Sequence, residues 1–109
     1  ELHSHISAAT LHTFGITQPV VHTGIIASGD KFVSDNSYRN DLLKNLPGVL
    51  CVEMEGAAVA QVCYEYNIPC CIIRTISDSA DEHAHFSFTD FIQQIAGIYS
   101  LFIIKNLLA

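Results

Sequence analysis

Three short apolar runs constrain this 109-residue chain more than any other feature. Val20 to Ala27, Val49 to Val52 and Ile68 to Ile73 are rich in β-branched residues. Each stops abruptly at a polar cluster. Continuous apolar runs of this length read as strands buried on both faces. Helical spacing fills the intervals between them. The predicted order is helix, strand, helix, strand, helix, strand, helix. Strands joined by helices are parallel, so the expected fold class is α/β, a three-layer α/β/α arrangement with a mostly parallel central sheet.

The helices can be placed by their stripes and ends. Leu2, Ile6, Ala9 and Phe14 keep near-helical spacing, and Gly15 sits at a C-cap position. Asp35 or Asn36 can cap a helix through Leu42, Leu43 and Leu46. Pro47-Gly48 is a turn signal ahead of the second strand. Val59, Val62, Cys63 and Tyr66 mark a third helix, which Asn67 can end. Ser87-Phe88-Thr89-Asp90 has capping-box spacing. The last helix runs from there to about Leu107, with Phe91, Ile95, Ile98, Phe102 and Leu107 on its apolar face.

Parallel strands share one carboxyl edge, where open α/β sheets bind ligands. The three exits are Ser28-Gly29-Asp30-Lys31-Phe32-Val33, Glu53-Met54-Glu55 and Arg74-Thr75-Ile76-Ser77-Asp78. Their polar clusters therefore converge on one rim. An aromatic beside a loop backbone, as at Phe32 and Val33, suits a flat heterocycle. Glu53 and Glu55 open a helix, where acids also match the helix dipole, so the pair can be read as structural or chemical. Arg74, a hydroxyl and two acids after a buried strand are a poor recipe for packing and a good one for a polar site.

Composition narrows the function classes. The formal net charge is -6, with five Lys and Arg in all, a surface that repels phosphate backbones and argues against nucleic acid. Ile95 to Ile104 is too short to span a bilayer. Cys51, Cys63, Cys70 and Cys71 lack metal or redox spacing and read as buried, reduced thiols of a cytosolic, cytoplasmic protein. His3, His5 and His12 read as solvent-facing and His22 as a satisfied sheet residue. Asp81-Glu82-His83-Ala84-His85 could form a metal module, though a loop aims such a pair poorly. A solvated loop or site lid is the expected role, with no metal or organic cofactor. A chain of this size should bury roughly two-thirds of its unfolded surface. It begins on Glu1 rather than Met, and a piece of a longer product is the expectation.

The runs VEMEG at Val52 to Gly56, RTISDSAD at Arg74 to Asp81, SGDKFV at Ser28 to Val33 and FSFTDF near the last helix carry a resemblance. In order and spacing they resemble the 5′-methylthioadenosine/S-adenosylhomocysteine nucleosidases of the nucleoside phosphorylase superfamily. The likeness covers nearly all of this chain and only the C-terminal half of such an enzyme, so residues 1–109 would be half of one domain. It implies hydrolysis of an adenosyl N-glycosidic bond, as in methionine salvage, in a cytoplasmic homodimer. It further implies that Phe32 stacks on adenine while the Val33 backbone reads its edge. Glu55 would hold the ribose hydroxyls with Met54 against the sugar and Glu53 in support. Asp78 would be the general acid at purine N7, oriented by Ser77, with Arg74 lining the pocket and Phe88 closing over the nucleoside.

That chemistry is self-consistent. Cleavage leaves positive charge on the ribose, which a carboxylate stabilises, and negative charge on the base, which a proton neutralises. The water-activating glutamate of such enzymes lies in the N-terminal half, ahead of everything here. The same half supplies much of the sheet and the residues a dimer partner lends to the alkylthio pocket. The expectation is that these 109 residues alone do not turn over substrate. A purine nucleoside phosphorylase is the alternative enzyme, although Ser79 after Asp78 and Arg74 before it look more like the nucleosidases. A futalosine or 5′-deoxyadenosine hydrolase and a non-catalytic half of a larger assembly stay open.

Overall fold

The structure, a computed structural model, describes residues 5–78 and 88–109. Its elements follow one another as α1 (Ala8–Thr13), β1 (Ile25–Ser28), α2 (Asn36–Asn45), β2 (Val49–Glu53), α3 (Gly56–Glu65), α4 (Phe88–Phe91) and α5 (Gly97–Leu107). A π-helical turn, Ile92–Ala96, joins α4 to α5, so the C-terminal segment is one continuous rod with a bulge in its second turn.

β1 and β2 pair in parallel, as the helical connection through α2 requires. Ile26 faces Cys51, Ala27 faces Val52 and Ser28 faces Glu53, with an irregularity between Ile25 and Ile26. The Gly29 N–H donates to the Glu53 carbonyl and extends the ladder past the carboxyl ends. The first strand is shorter than its apolar run predicts. Val20 and Val21 stay exposed because β2 offers only five residues to pair with.

Residues 68–77 form no ladder with another strand among the described residues, which corrects the expected third strand at Ile68 to Arg74. The reason is physical. A strand holds its hydrogen bonds only when a neighbour supplies partners, and Ile68, Ile73 and Ile76 are all about half exposed here. Cys70 and Cys71, expected to be buried, are exposed for the same reason.

Local chemistry sets most of the boundaries. Ser7 caps α1 and Asp35 caps α2, its carboxylate accepting from the N–H groups of Ser37 and Tyr38. Gly48, at φ +88°, occupies the left-handed corner that follows Pro47, and the Val49 N–H returns to the Leu46 carbonyl. Asn67 ends α3 at φ 54°, and the Ile68 N–H reaches back to the Cys63 carbonyl in a Schellman arrangement.

The buried core lies between α1 and the C-terminal rod: Ile6, Leu11, Phe91 and Ile95, with Phe14, Ile16, Ile98 and Tyr99 packed around them. Phe14 meets Phe91 edge to face at 5.7 Å. His5, expected to face solvent, is exposed but stacks on Phe102 at 4.0 Å. The sheet has no comparable core. Ile25 and Leu50 are more than half exposed, as are Val62 on α3 and Leu107 on α5.

The accessible surface is 8301 Å². A compact protein of this mass exposes about 6,000 Å². The radius of gyration is 15.3 Å, against about 13 Å for a compact chain of this length. Folding thus buries about half of the unfolded surface rather than the expected two-thirds. Exposed large apolar side chains stand on α3, α5 and residues 68–76, and also around β1, α2 and β2. No helix among the described residues is long and apolar enough to cross a membrane.

Candidate active site

The carboxyl ends of β1 and β2 and the segment at 74–78 border one cavity of about 600 Å³. All nine residues singled out from the sequence line it: Phe32, Val33, Glu53, Met54, Glu55, Arg74, Ser77, Asp78 and Phe88. The exits of β1 and β2, which share a strand edge, therefore meet residues 74–78, which form no ladder, at this cavity.

Glu53 ties them together. It sits beside Ser28 across the sheet, and only 9% of its side chain is exposed. Its carboxylate accepts from the Glu55 N–H at 3.1 Å and from the Gly56 N–H at 2.9 and 2.7 Å. The Arg74 guanidinium reaches it from 21 residues away. Burial alone would push this carboxyl up. The hydrogen bonds from Ser28, Gly56, Glu55 and Arg74 outweigh burial and hold it down at about 2.

These contacts also start α3. Its N-cap residue Glu55 makes no side-chain cap. Glu53 accepts from Gly56 instead, and the Ser28 hydroxyl accepts from the Ala57 N–H at 2.9 Å. Gly56 is needed for close approach, since a Cβ there would lie 2.6 Å from the Glu53 Oε1. The two readings of the acidic pair thus divide between the two residues. Glu53 serves the helix end, whereas Glu55 points its carboxylate outward, 71% exposed, with Arg74 Nη2 at 3.3 Å.

On the opposite wall the Ser77 hydroxyl donates to Asp78 Oδ2 at 2.5 Å. Both side chains are half-buried. Phe32 and Phe88 face each other edge to face, centroids 6.3 Å apart and planes at 74°, and form an aromatic corner. Val33 beneath them is buried at 7% exposure, which presents the loop by its backbone. Lys31 also lines the cavity, its ammonium 3.9 Å over the Tyr38 ring. Cys51 lines the cavity too, but burial and the Glu53 charge push its thiol up, so it stays protonated at neutral pH.

Two polar residues at or beside the site escaped the sequence reading. Arg39 borders the cavity from α2, and the Ser28 hydroxyl links β1 to α3. Arg39 lies within a helix whose stripe suggests only packing, so nothing local marks it. Ser28 stood in a recognised run without a role, because its partner is 29 residues away. Among the described residues no three His, Cys, Asp or Glu side chains group as metal ligands. The Asp81 to His85 cluster and Ser87, the proposed capping-box serine, lie outside the described residues.

An aromatic corner, an outward carboxylate and a hydroxyl-bonded acid in one cavity are suited to holding a flat base and a polyol while a proton is delivered. The phosphorylase superfamily model matches residues 1–108. A 5′-methylthioadenosine/S-adenosylhomocysteine nucleosidase from an Exiguobacterium species is 47% identical over 73 residues, 67% of this chain and 31% of the relative. An aminodeoxyfutalosine nucleosidase of Helicobacter pylori is 46% identical over 77 residues, 71% of this chain and 33% of the relative. Among solved structures, a Neisseria meningitidis nucleosidase of the first kind, in complex with methylthio-immucillin-A, superposes with a TM-score of 0.63 at 45% identity. That match covers 67% of this chain and 32% of the other. The chain spans about a third of the length of these curated relatives. On the match across residues 1–108, with the parallel α/β core behind it, the chain belongs to the phosphorylase superfamily.

Proposed function

We propose that this chain is the C-terminal half of a nucleosidase domain that hydrolyses the N-glycosidic bond of 5′-methylthioadenosine and S-adenosylhomocysteine. The observation that carries the reading is the meeting of Phe32, Glu55 and Asp78 at one cavity. Phe32 stacks on adenine, the Val33 backbone reads its edge, and Phe88 closes the aromatic corner. The Glu55 carboxylate takes the ribose hydroxyls, with Met54 against the sugar. It also stabilises positive charge as the glycosidic bond breaks. Asp78, held by the Ser77 hydroxyl, delivers a proton to purine N7. Adenine then departs neutral, and water completes the sugar product.

The water-activating carboxylate belongs to an N-terminal half of the same enzyme. Its docking accounts for the surface left over here. An excess of roughly 2,000 Å² exceeds the ~800 Å² per partner of an ordinary stable interface. Residues 68–76 would gain their strand partners at the same time. A homodimer completes the alkylthio pocket. Aminodeoxyfutalosine as substrate is the second reading, favoured by the 46% identical relative.

Adenine release from methylthioadenosine tests the proposal. The chain alone is expected to be inactive. Joined to an N-terminal half it should hydrolyse the substrate without phosphate, and Asp78→Asn should slow turnover by about 10²-fold or more. Sugar phosphate as product, or unchanged turnover in Asp78→Asn, would contradict it.

A further inference from the structure

Glu53 has no capacity left for a ligand. Its oxygens are taken by Glu55 N–H, Gly56 N–H, Arg74 and Ser28, and its side chain is nearly closed from solvent. A Cβ at Gly56 would lie 2.6 Å from the Glu53 Oε1, so no other residue fits there without displacement. Yet two of these bonds act on Glu55. One fixes the Glu55 backbone N–H. The other anchors Arg74, whose Nη2 also touches the Glu55 carboxylate at 3.3 Å. Glu55 is otherwise a long, exposed side chain with several rotamers to lose on binding.

We propose that Glu53 is a positioning residue, which sets Glu55 for the ribose by holding its backbone directly and its carboxylate through Arg74. The inference rests on the nucleoside reading of the same cavity. In Glu53→Gln the amide places a second donor among the N–H groups and the guanidinium, so one of those contacts must break. Glu55 is then less organised, while the aromatic corner that takes the base is untouched.

The test uses this chain joined to its N-terminal half, with calorimetric titration by adenine and by methylthio-immucillin-A, the nucleoside analogue bound in the Neisseria relative, so that binding is read without turnover. The wild-type protein should bind the analogue more tightly than the base. Glu53→Gln should cut that preference about tenfold, with adenine affinity held within about twofold. An unchanged preference overturns the positioning role and leaves the nucleoside reading standing. Parallel weakening of both ligands also overturns it, since loss of fold alone would do that. Binding of neither ligand by the wild-type protein overturns the nucleoside reading and the positioning role with it. If circular dichroism finds Glu53→Gln unfolded, Arg74→Lys takes its place. That variant keeps the charge but loses the fork that spans two carboxylates, and the same loss of preference is required of it.

Discussion

Glu53 and Glu55 are two residues apart and chemically identical, yet the chain uses them in opposite ways. Glu53 is the last residue of β2, turned inward onto four donors. Glu55 is the first residue past the turn, facing the cavity. The consequence for Glu53 can be measured. Its carboxyl is held at about 2 against an ordinary 4.5. A depressed carboxyl contributes stability that is present above its unfolded value and lost as pH falls toward its folded one. The melting temperature should therefore drop between about pH 5 and about pH 2. The drop should be shallower in Glu53→Gln, which carries no titrating proton there. Equal slopes in the two proteins, followed by thermal melts across that range, would mean that the network does not hold in solution.

At the scale of elements, α3 starts on borrowed caps. Ser28 supplies one of them from the end of β1, so strand and helix are coupled by a single hydroxyl. Ser28→Ala should cost about 1 kcal/mol in chemical denaturation, the usual loss of a helix cap. The elements themselves were largely legible from the chain. Asp35, Asn67 and the Pro47-Gly48 turn act locally, within a few residues, and each appears where its chemistry requires. The meeting of Phe32 and Glu55 was legible too, because β1 and β2 are parallel and their exits share an edge; Asp78 joins them at the cavity although residues 68–77 form no ladder. What escaped depends on distant partners. The Ile68 to Arg74 run has the composition of a strand, but pairing is a property of two segments. Nothing in the run itself says whether the second is at hand. The inward turn of Glu53 was hidden for the same reason, since Arg74 and Ser28 come from other exits.

For the whole molecule, the decisive quantity is surface. The true core, around Phe91 and Ile95, closes one side of the molecule, while α3, α5 and residues 68–76 leave apolar side chains open. Under the proposed function, this chain would supply the base and ribose contacts and the acid, and an N-terminal half the carboxylate that activates water. The most direct measurement is a crystal structure of the completed protein with methylthio-immucillin-A, the ligand seen in the Neisseria relative. The base should lie against Phe32, the sugar-like ring within about 3 Å of the Glu55 carboxylate, and the N7 side of the base at Asp78. A ligand seated elsewhere, or a cavity that excludes it with all three side chains in place, would contradict the assignment.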